Sequence, residues 1–348
     1  MDENGQVLDR VIGWLGQGRC VALATVIGTW GSAPRRPGSL LALCDDSAFV
    51  GSVSGGCIEG AVIEEGRGAI AGAAPRVLDF GISDEQAWEV GLACGGEMKV
   101  YVERAPRADT LRALMDERPV ALVTELATGA HALVGPDRVG GDFSPSPEIV
   151  EAARRAISED RSFIASGALG ELFINVFNRP LRMVVVGAVH IAQALAPMAA
   201  LAGFDVTVVD PRRAFATEGR FPRVTLSHDW PDTALEALAP NSRTAVVTLT
   251  HDPKLDDPAL AVALKSDAFY IGALGSRRTH AKRAERLADK GFSEDAIARI
   301  RSPVGLPLGG RKAAEIAVSI LAEVVQVSHA RADREPALVV AGAEEAKG

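Results

Sequence analysis

Apolar residues between positions 3 and 18 recur at helical spacing, which predicts an amphipathic helix. CVALATVIGT (20–29) is an apolar, β-rich run and predicts a strand. TWGSAPRRPGS (29–39) is loop. LLALC (40–44) and AFVGSV (48–53) are strands around the turn Asp45-Asp46-Ser47. SGGC (54–57) then opens a helix that runs to about Ala71. Strands follow near 76–80, 97–103, 119–126 and 131–134, with a helix over about 147–158. Two strand-like runs, 161–166 and 171–177, end at the polar break Asn178-Arg179-Pro180.

From Arg182 the pattern changes to strict alternation. MVVVG (183–187) leads into HIAQALAPMAALAG (190–203), and DVTVVD (205–210) follows. After a long loop come TAVVTLT (244–250), a helix over 256–265, AFYIGALG (268–275), a charged helix over 276–290 and a last helix from about Lys312 to Val327. Such alternation predicts parallel strands joined by crossover helices. The expected fold class is α/β: an N-terminal mixed α+β domain (1–178), a Rossmann-like doubly wound parallel-sheet domain (179–330) and a tail (331–348). No internal repeat or low-complexity block is visible. Met183 to Phe204 lacks Asp, Glu, Lys and Arg and so resembles a membrane span. Gly187, His190, Gln193 and Pro197 interrupt it, and a strand plus a helix accounts for it better.

Composition narrows the class. At 348 residues, with 47% hydrophobic and 24% charged, the chain is globular and long enough for two cores. A net charge of -8 argues against nucleic acid as the main partner. The four cysteines (Cys20, Cys44, Cys57, Cys94) form no C-x-x-C pair and no disulfide framework. With the polar, acidic start MDENGQVLDR, they fit a reducing cytoplasm and no membrane. Cys20 and Cys44 fall inside apolar strands and read as core.

The second half carries a damaged dinucleotide fingerprint. Gly187-Ala188-Val189-His190-Ile191-Ala192 keeps the first glycine of G-x-G-x-x-G/A and the tolerated final alanine. Val189 replaces the second glycine, where bare backbone must meet a pyrophosphate. Asp210 lies 23 residues after Gly187, where a ribose-binding acid is expected. A Rossmann sheet that binds no dinucleotide is the competing reading. A second anion site is expected at Gly272–Arg278, where Gly275, Ser276, Arg277 and Arg278 open a helix; the alternative is a capped helix with solvated arginines. His190 and His251 each follow a strand end. Gly305–Lys312 is not a P-loop, because Arg311 stands where lysine is required. Neither Tyr101 nor Tyr270 has a lysine four residues later, so a local Tyr/Lys hydride-transfer dyad is absent.

GSVSGGCIEG (51–60) is the most informative segment. Ser54, Gly55 and Gly56 precede Cys57 at a helix start, where free amides favour a thiolate. Glu59, in the first turn, opposes that effect slightly. Cys94 sits against Gly95 and Gly96, and Arg35 and Arg36 occupy a Gly/Pro-rich loop that would fold over the same site. A soft thiolate suits a soft metal or sulfur transfer. The bland alternative is a pair of small buried hydrophobes.

Taken together, GSAPRRPGS, GSVSGGCIEG, GLACGGEMKVYVE, VVVGAVHIAQALA, VTVVDPRRAFA, FYIGALGSRR and VGLPLGGRKAAEIAVSILAE resemble the XdhC/CoxI family, accessory factors of xanthine dehydrogenase and carbon monoxide dehydrogenase. The resemblance implies a maturation factor rather than an enzyme. It would bind molybdenum cofactor, protect it during installation of the sulfido ligand, and insert it into a molybdenum hydroxylase apoenzyme, acting with a cysteine desulfurase. By resemblance, Cys57 and Cys94 occupy the family's cysteine positions and contact the metal or its sulfur, with Arg35, Arg36, Ser54, Gly55, Gly56, Gly95 and Gly96 about them. Ser276, Arg277 and Arg278 would hold the phosphate end of the cofactor, plain molybdopterin or its dinucleotide form, and Gly187, His190, Asp210, Gly272 and Gly275 would be further cofactor-binding residues, there or for a separate nucleotide. Val189 departs from the family's G-A-G-H, and Pro307 from its G-L-D. A symmetric dimer is the default assembly. The alternatives are an NAD(P)-dependent oxidoreductase using the Rossmann half, and a non-catalytic interaction protein.

Overall fold

The computed structural model describes residues 3–31, 35–56, 58–81, 96–167 and 170–332. They divide between Arg179 and Pro180 into two compact units.

The first unit is built from two copies of one module. The first copy runs α1 (Glu3–Gly16), β1 (Val21–Trp30), β2 (Leu40–Cys44), β3 (Phe49–Gly51), α2 (Glu59–Ile70), β4 (Arg76–Phe80) and β5 (Glu97–Arg104). The second runs α3 (Ala108–Asp116), β6 (Val120–Glu125), β7 (His131–Val134), β8 (Val139–Gly141), α4 (Pro147–Glu159), β9 (Phe163–Gly167) and β10 (Gly170–Phe177). Their antiparallel sheets have orders β3-β2-β1-β5-β4 and β8-β7-β6-β10-β9, the same path twice.

The correspondence extends to single residues. Gly51 ends β3 with φ +86°, and a Cβ there would lie 2.2 Å from the Leu40 carbonyl oxygen. Gly141 ends β8 with φ +133°, and its Cβ would lie 2.4 Å from the His131 carbonyl oxygen. In both modules the next amide, Ser52 or Asp142, donates to that same carbonyl. Only glycine permits this turn with that backbone contact. The expectation of no internal repeat is therefore corrected: the duplication lies in topology and in a few glycines.

Alternation along the central strands explains the packing. Val21 and Leu23 of β1 join Val120 and Leu122 of β6 in a core beneath α1 and α3. Ala22, Ala24 and Val26 face α2, while Ala121 and Val123 face α4. β1 is buried on both faces, which is why it reads as a continuous apolar run. A polar contact also joins the modules. His131 Nε2 lies 3.1 Å from the Glu103 carboxylate, and both side chains are buried.

The second unit is a six-stranded parallel sheet. Its strands are β11 (Arg182–Val186), β12 (Asp205–Val209), β13 (Thr225–Ser227), β14 (Thr244–Thr248), β15 (Tyr270–Ala273) and β16 (Ile300–Arg301). The spatial order β13-β12-β11-β14-β15-β16 is that of a doubly wound dinucleotide fold. Helices α5 (His190–Leu201) and α10 (Ala313–Ala332) cover one face. Helices α6 (Pro231–Leu238), α7 (Pro253–Leu264), α8 (Arg277–Asp289) and α9 (Glu294–Ala298) lie on the other side, where a second core forms. Met183–Phe204 is thus a strand and a helix, as its interruptions imply. Residues 313–330 of α10 are long and apolar enough to cross a membrane by length and composition. In this fold Ala317, Ile320 and Val324 are wholly buried in the core shared with α5. Glu323 of α10 accepts from the Tyr270 hydroxyl at 2.6 Å, the Gly305 amide at 2.9 Å and Arg301 at 3.2 Å.

Candidate functional site

In the first unit the site builds on the connection from β3 to α2. The helix begins at Glu59, later than the sequence suggests, with Ile58 as N-cap and no side-chain cap bond. Glu59 turns its carboxylate back into the preceding loop. It accepts from the amides of Val53 (3.2 Å), Ser54 (2.9 Å), Gly55 (3.1 Å) and Gly56 (2.8 Å). The hydroxyls of Ser52 (2.8 Å) and Ser54 (2.5 Å) donate to it as well. Four successive amides converge because Gly55 and Gly56 take φ values of +85° and +125°, forming an anion nest. Burial works against the charge on Glu59, but the Ser54 and Ser52 donors outweigh it and hold the carboxyl at about 2.

Glu59 thus occupies the four amides ahead of Cys57. The next one, on Ile58, donates to Ser54 Oγ at 3.1 Å. Cys57 itself, Cys94 and Gly95 lie outside the described residues. Gly55 and Gly56 are exposed, and among the described residues a Cβ on either would meet no atom within 4 Å. Gly96 is buried just before β5. Arg35 pairs with both oxygens of Glu3 at 2.7 Å, which raises its pKa. Arg36 is exposed, and its carbonyl closes the turn to Ser39. Cys44 is buried and Cys20 half-buried. Cys44, Asp45 and Asp46 cluster closely enough to suggest a metal site, but Arg19 bridges both carboxylates at 2.5 and 2.9 Å and supplies the cation.

In the second unit the expected residues gather at the carboxyl ends of the strands. Gly187 has φ +108°, and a Cβ there would lie 2.5 Å from Thr250 Cγ2. The first fingerprint glycine thus lets the loops after β11 and β14 touch. Val189 is the N-cap of α5 and packs on the core, and His190 is exposed at the first helical position. Asp210 is wholly buried. Its oxygens accept from the Ala188 amide (2.8 Å), the Arg212 amide (2.9 Å) and the Arg212 guanidinium (2.9 and 2.7 Å). Burial opposes its charge, but Arg212 and these amides hold its pKa below the usual carboxylate range. In this arrangement Asp210 ties the first turn to the second strand, and all its accepting positions are filled.

Gly272 has a packing role. A Cβ there would lie 2.6 Å from Val304 Cγ2 and 2.7 Å from the Tyr270 ring. Gly275 has φ +144°, and Ser276 caps α8 by accepting from the Thr279 amide at 3.2 Å. Arg277 and Arg278 are exposed. Sequence reasoning stopped at Arg278 and missed the next two turns of α8. Arg278, Lys282 and Arg286 share one helix face at four-residue spacing, a signal that was available. They line a cleft of about 250 Å³ with His251, Asp256, Asp257 and Arg283.

Comparison with known proteins gives this geometry a family. The family described as XdhC and CoxI family matches residues 14–81, and the XdhC Rossmann domain matches residues 183–324. The chain belongs to the XdhC/CoxI family. It is 27% identical over 332 residues to the Escherichia coli (strain K12) "Molybdenum cofactor insertion chaperone PaoD", covering 94% of this chain and 89% of that protein. It is also 27% identical over 314 residues to a probable xanthine dehydrogenase subunit of Bacillus subtilis (strain 168), covering 87% of this chain and 92% of that one. A crystal structure from Bacillus halodurans, described as a xanthine dehydrogenase, superposes with a TM-score of 0.77 at 25% identity, covering 95% of this chain and 97% of that chain.

Proposed function

We propose that this chain is a molybdenum cofactor maturation factor. It binds the cofactor as cargo, shields it while sulfur is installed, and inserts it into a xanthine dehydrogenase-type molybdenum hydroxylase in the cytoplasm. The observation that carries this reading is the likeness across both units to a protein named as a molybdenum cofactor insertion chaperone, spanning 94% of this chain. The exposed glycine backbone at Gly55 and Gly56 suits it, since a bulky ligand needs room to approach and among the described residues nothing crowds that backbone.

In this reading the thiols of Cys57 and Cys94 hold the metal end, because thiolate is a soft ligand for a sulfur-bound metal. Glu59 keeps the loop before Cys57 in one conformation. Ser276, Arg277 and Arg278 attract the phosphate end, whether the cargo is the plain pterin or its dinucleotide form. The apo-hydroxylase receives the cargo, a cysteine desulfurase supplies the sulfur, and the factor works as a symmetric dimer. The test is reconstitution: chain purified with cofactor activates apo-hydroxylase, and Cys57→Ala does so poorly. Equal protection and transfer by Cys57→Ala and wild type rejects the thiolate role.

The strand order of the second unit favours one competing reading, an NAD(P)-dependent oxidoreductase. The filled acceptor positions of Asp210 and the valine at position 189, where bare backbone must meet a pyrophosphate, weigh against it. Calorimetric titration with NAD(H) and NADP(H) separates the two, since tight binding of either favours the oxidoreductase.

A further inference from the structure

The cleft between α7 and α8 has a cationic face and a polar floor whose bonding is incomplete. Arg278 and Lys282 are exposed one turn apart and have no carboxylate partner among the described residues. Arg286 is committed to Asp257, donating at 2.5 and 3.0 Å. The floor is Asp256 and Arg283, which are 1% and 2% exposed. Asp256 Oδ1 accepts from the Thr250 hydroxyl at 2.6 Å, but Asp256 Oδ2 is buried and has no hydrogen-bond partner among the described residues. Its nearest cation, Arg283 Nη2, is 3.8 Å away and donates instead to the Leu274 carbonyl at 2.9 Å. Arg283 Nε is also buried and without a partner among the described residues.

A buried carboxylate oxygen without a donor is destabilising, so a floor like this calls for a ligand that supplies one. Two uncommitted cations at the mouth call for an anion. We propose that this cleft binds a phosphorylated sugar, with the phosphate held by Arg278 and Lys282 and a sugar hydroxyl donating to Asp256 Oδ2. His251 stands at the rim in the left-handed region, with φ +60°, and completes the polar wall. The inference shares Arg278 with the maturation reading and otherwise stands apart from it.

The test is calorimetric titration of the full chain, at low salt in a phosphate-free buffer, with ribose 5-phosphate, inorganic phosphate and ribose. The expected result is saturable binding of ribose 5-phosphate at least tenfold tighter than either fragment, weakened at least tenfold in Arg278→Gln/Lys282→Gln. Both substituted residues are exposed, so the fold is retained, and an unchanged melting temperature verifies this. Three results overturn the proposal: no saturable binding, binding indifferent to the double substitution, or phosphate alone binding as tightly as ribose 5-phosphate. Ribose 5-phosphate binding by a chain that never carries molybdenum would sink the maturation reading and leave this one standing; the converse holds equally.

Discussion

Replacing Glu59 with glutamine tests the nest most sharply. The substitution keeps the size of the side chain and removes its charge, and it turns an amide NH2 toward donors that already converge there. The carboxyl falls from its ordinary 4.5 to about 2 in the fold. At full strength that drop corresponds to about 3.4 kcal/mol. The carboxylate is partly open to water, so screening reduces the expected loss to about 1–2 kcal/mol. A depressed carboxyl stabilises above its unfolded value and loses that effect as pH falls through its folded value. Wild type should therefore exceed Glu59→Gln in urea denaturation at neutral pH, and more than half of the gap should be gone by about pH 3. Hydrogen exchange at residues 53–56 should accelerate in the variant. Equal stability at neutral pH, or a gap that persists unchanged in acid, refutes the assignment.

Two other substitutions probe the scaffold. Gly187→Ala must strain φ +108° and push against Thr250, so the melting temperature should drop by the equivalent of about 2–4 kcal/mol; an unchanged melt contradicts the close approach. His131→Ala strands the buried Glu103 carboxyl, whose pKa burial already raises, and should cost about 2–3 kcal/mol at neutral pH. Because that pKa is raised, the variant should recover stability as pH is lowered, the reverse of Glu59, and a pH-independent loss would count against a stranded carboxyl.

The hydrophobic pattern made much of the architecture legible. The alternation after Arg182 produces the parallel sheet, and the break at 178–180 adjoins the point where the two units divide. What escaped was short or non-local. α3 is amphipathic but has only nine residues, and no side-chain cap marks its start. β16 spans two residues and exists only through its pairing with β15. The duplicated module hid because its copies share a path while their loops differ, residues 52–58 against 142–146. Cleft residues Asp256 and Arg283 lie on different helices, and no local spacing links them. Glu59 was legible as a first-turn acid, but not the direction of four amides toward it, which depends on the positive φ of two glycines. Its signal is a Ser-x-Ser-Gly-Gly run shortly before a helix-opening glutamate.

The maturation reading is tested most directly by molybdenum and phosphorus analysis of the full chain expressed with the cofactor pathway active, beside Cys57→Ser/Cys94→Ser. Wild type should retain molybdenum and phosphorus in comparable amounts, and the double variant should retain at least about tenfold less molybdenum, a change of about 1.4 kcal/mol in affinity. Wild type free of molybdenum, or a double variant that retains as much, would contradict the account.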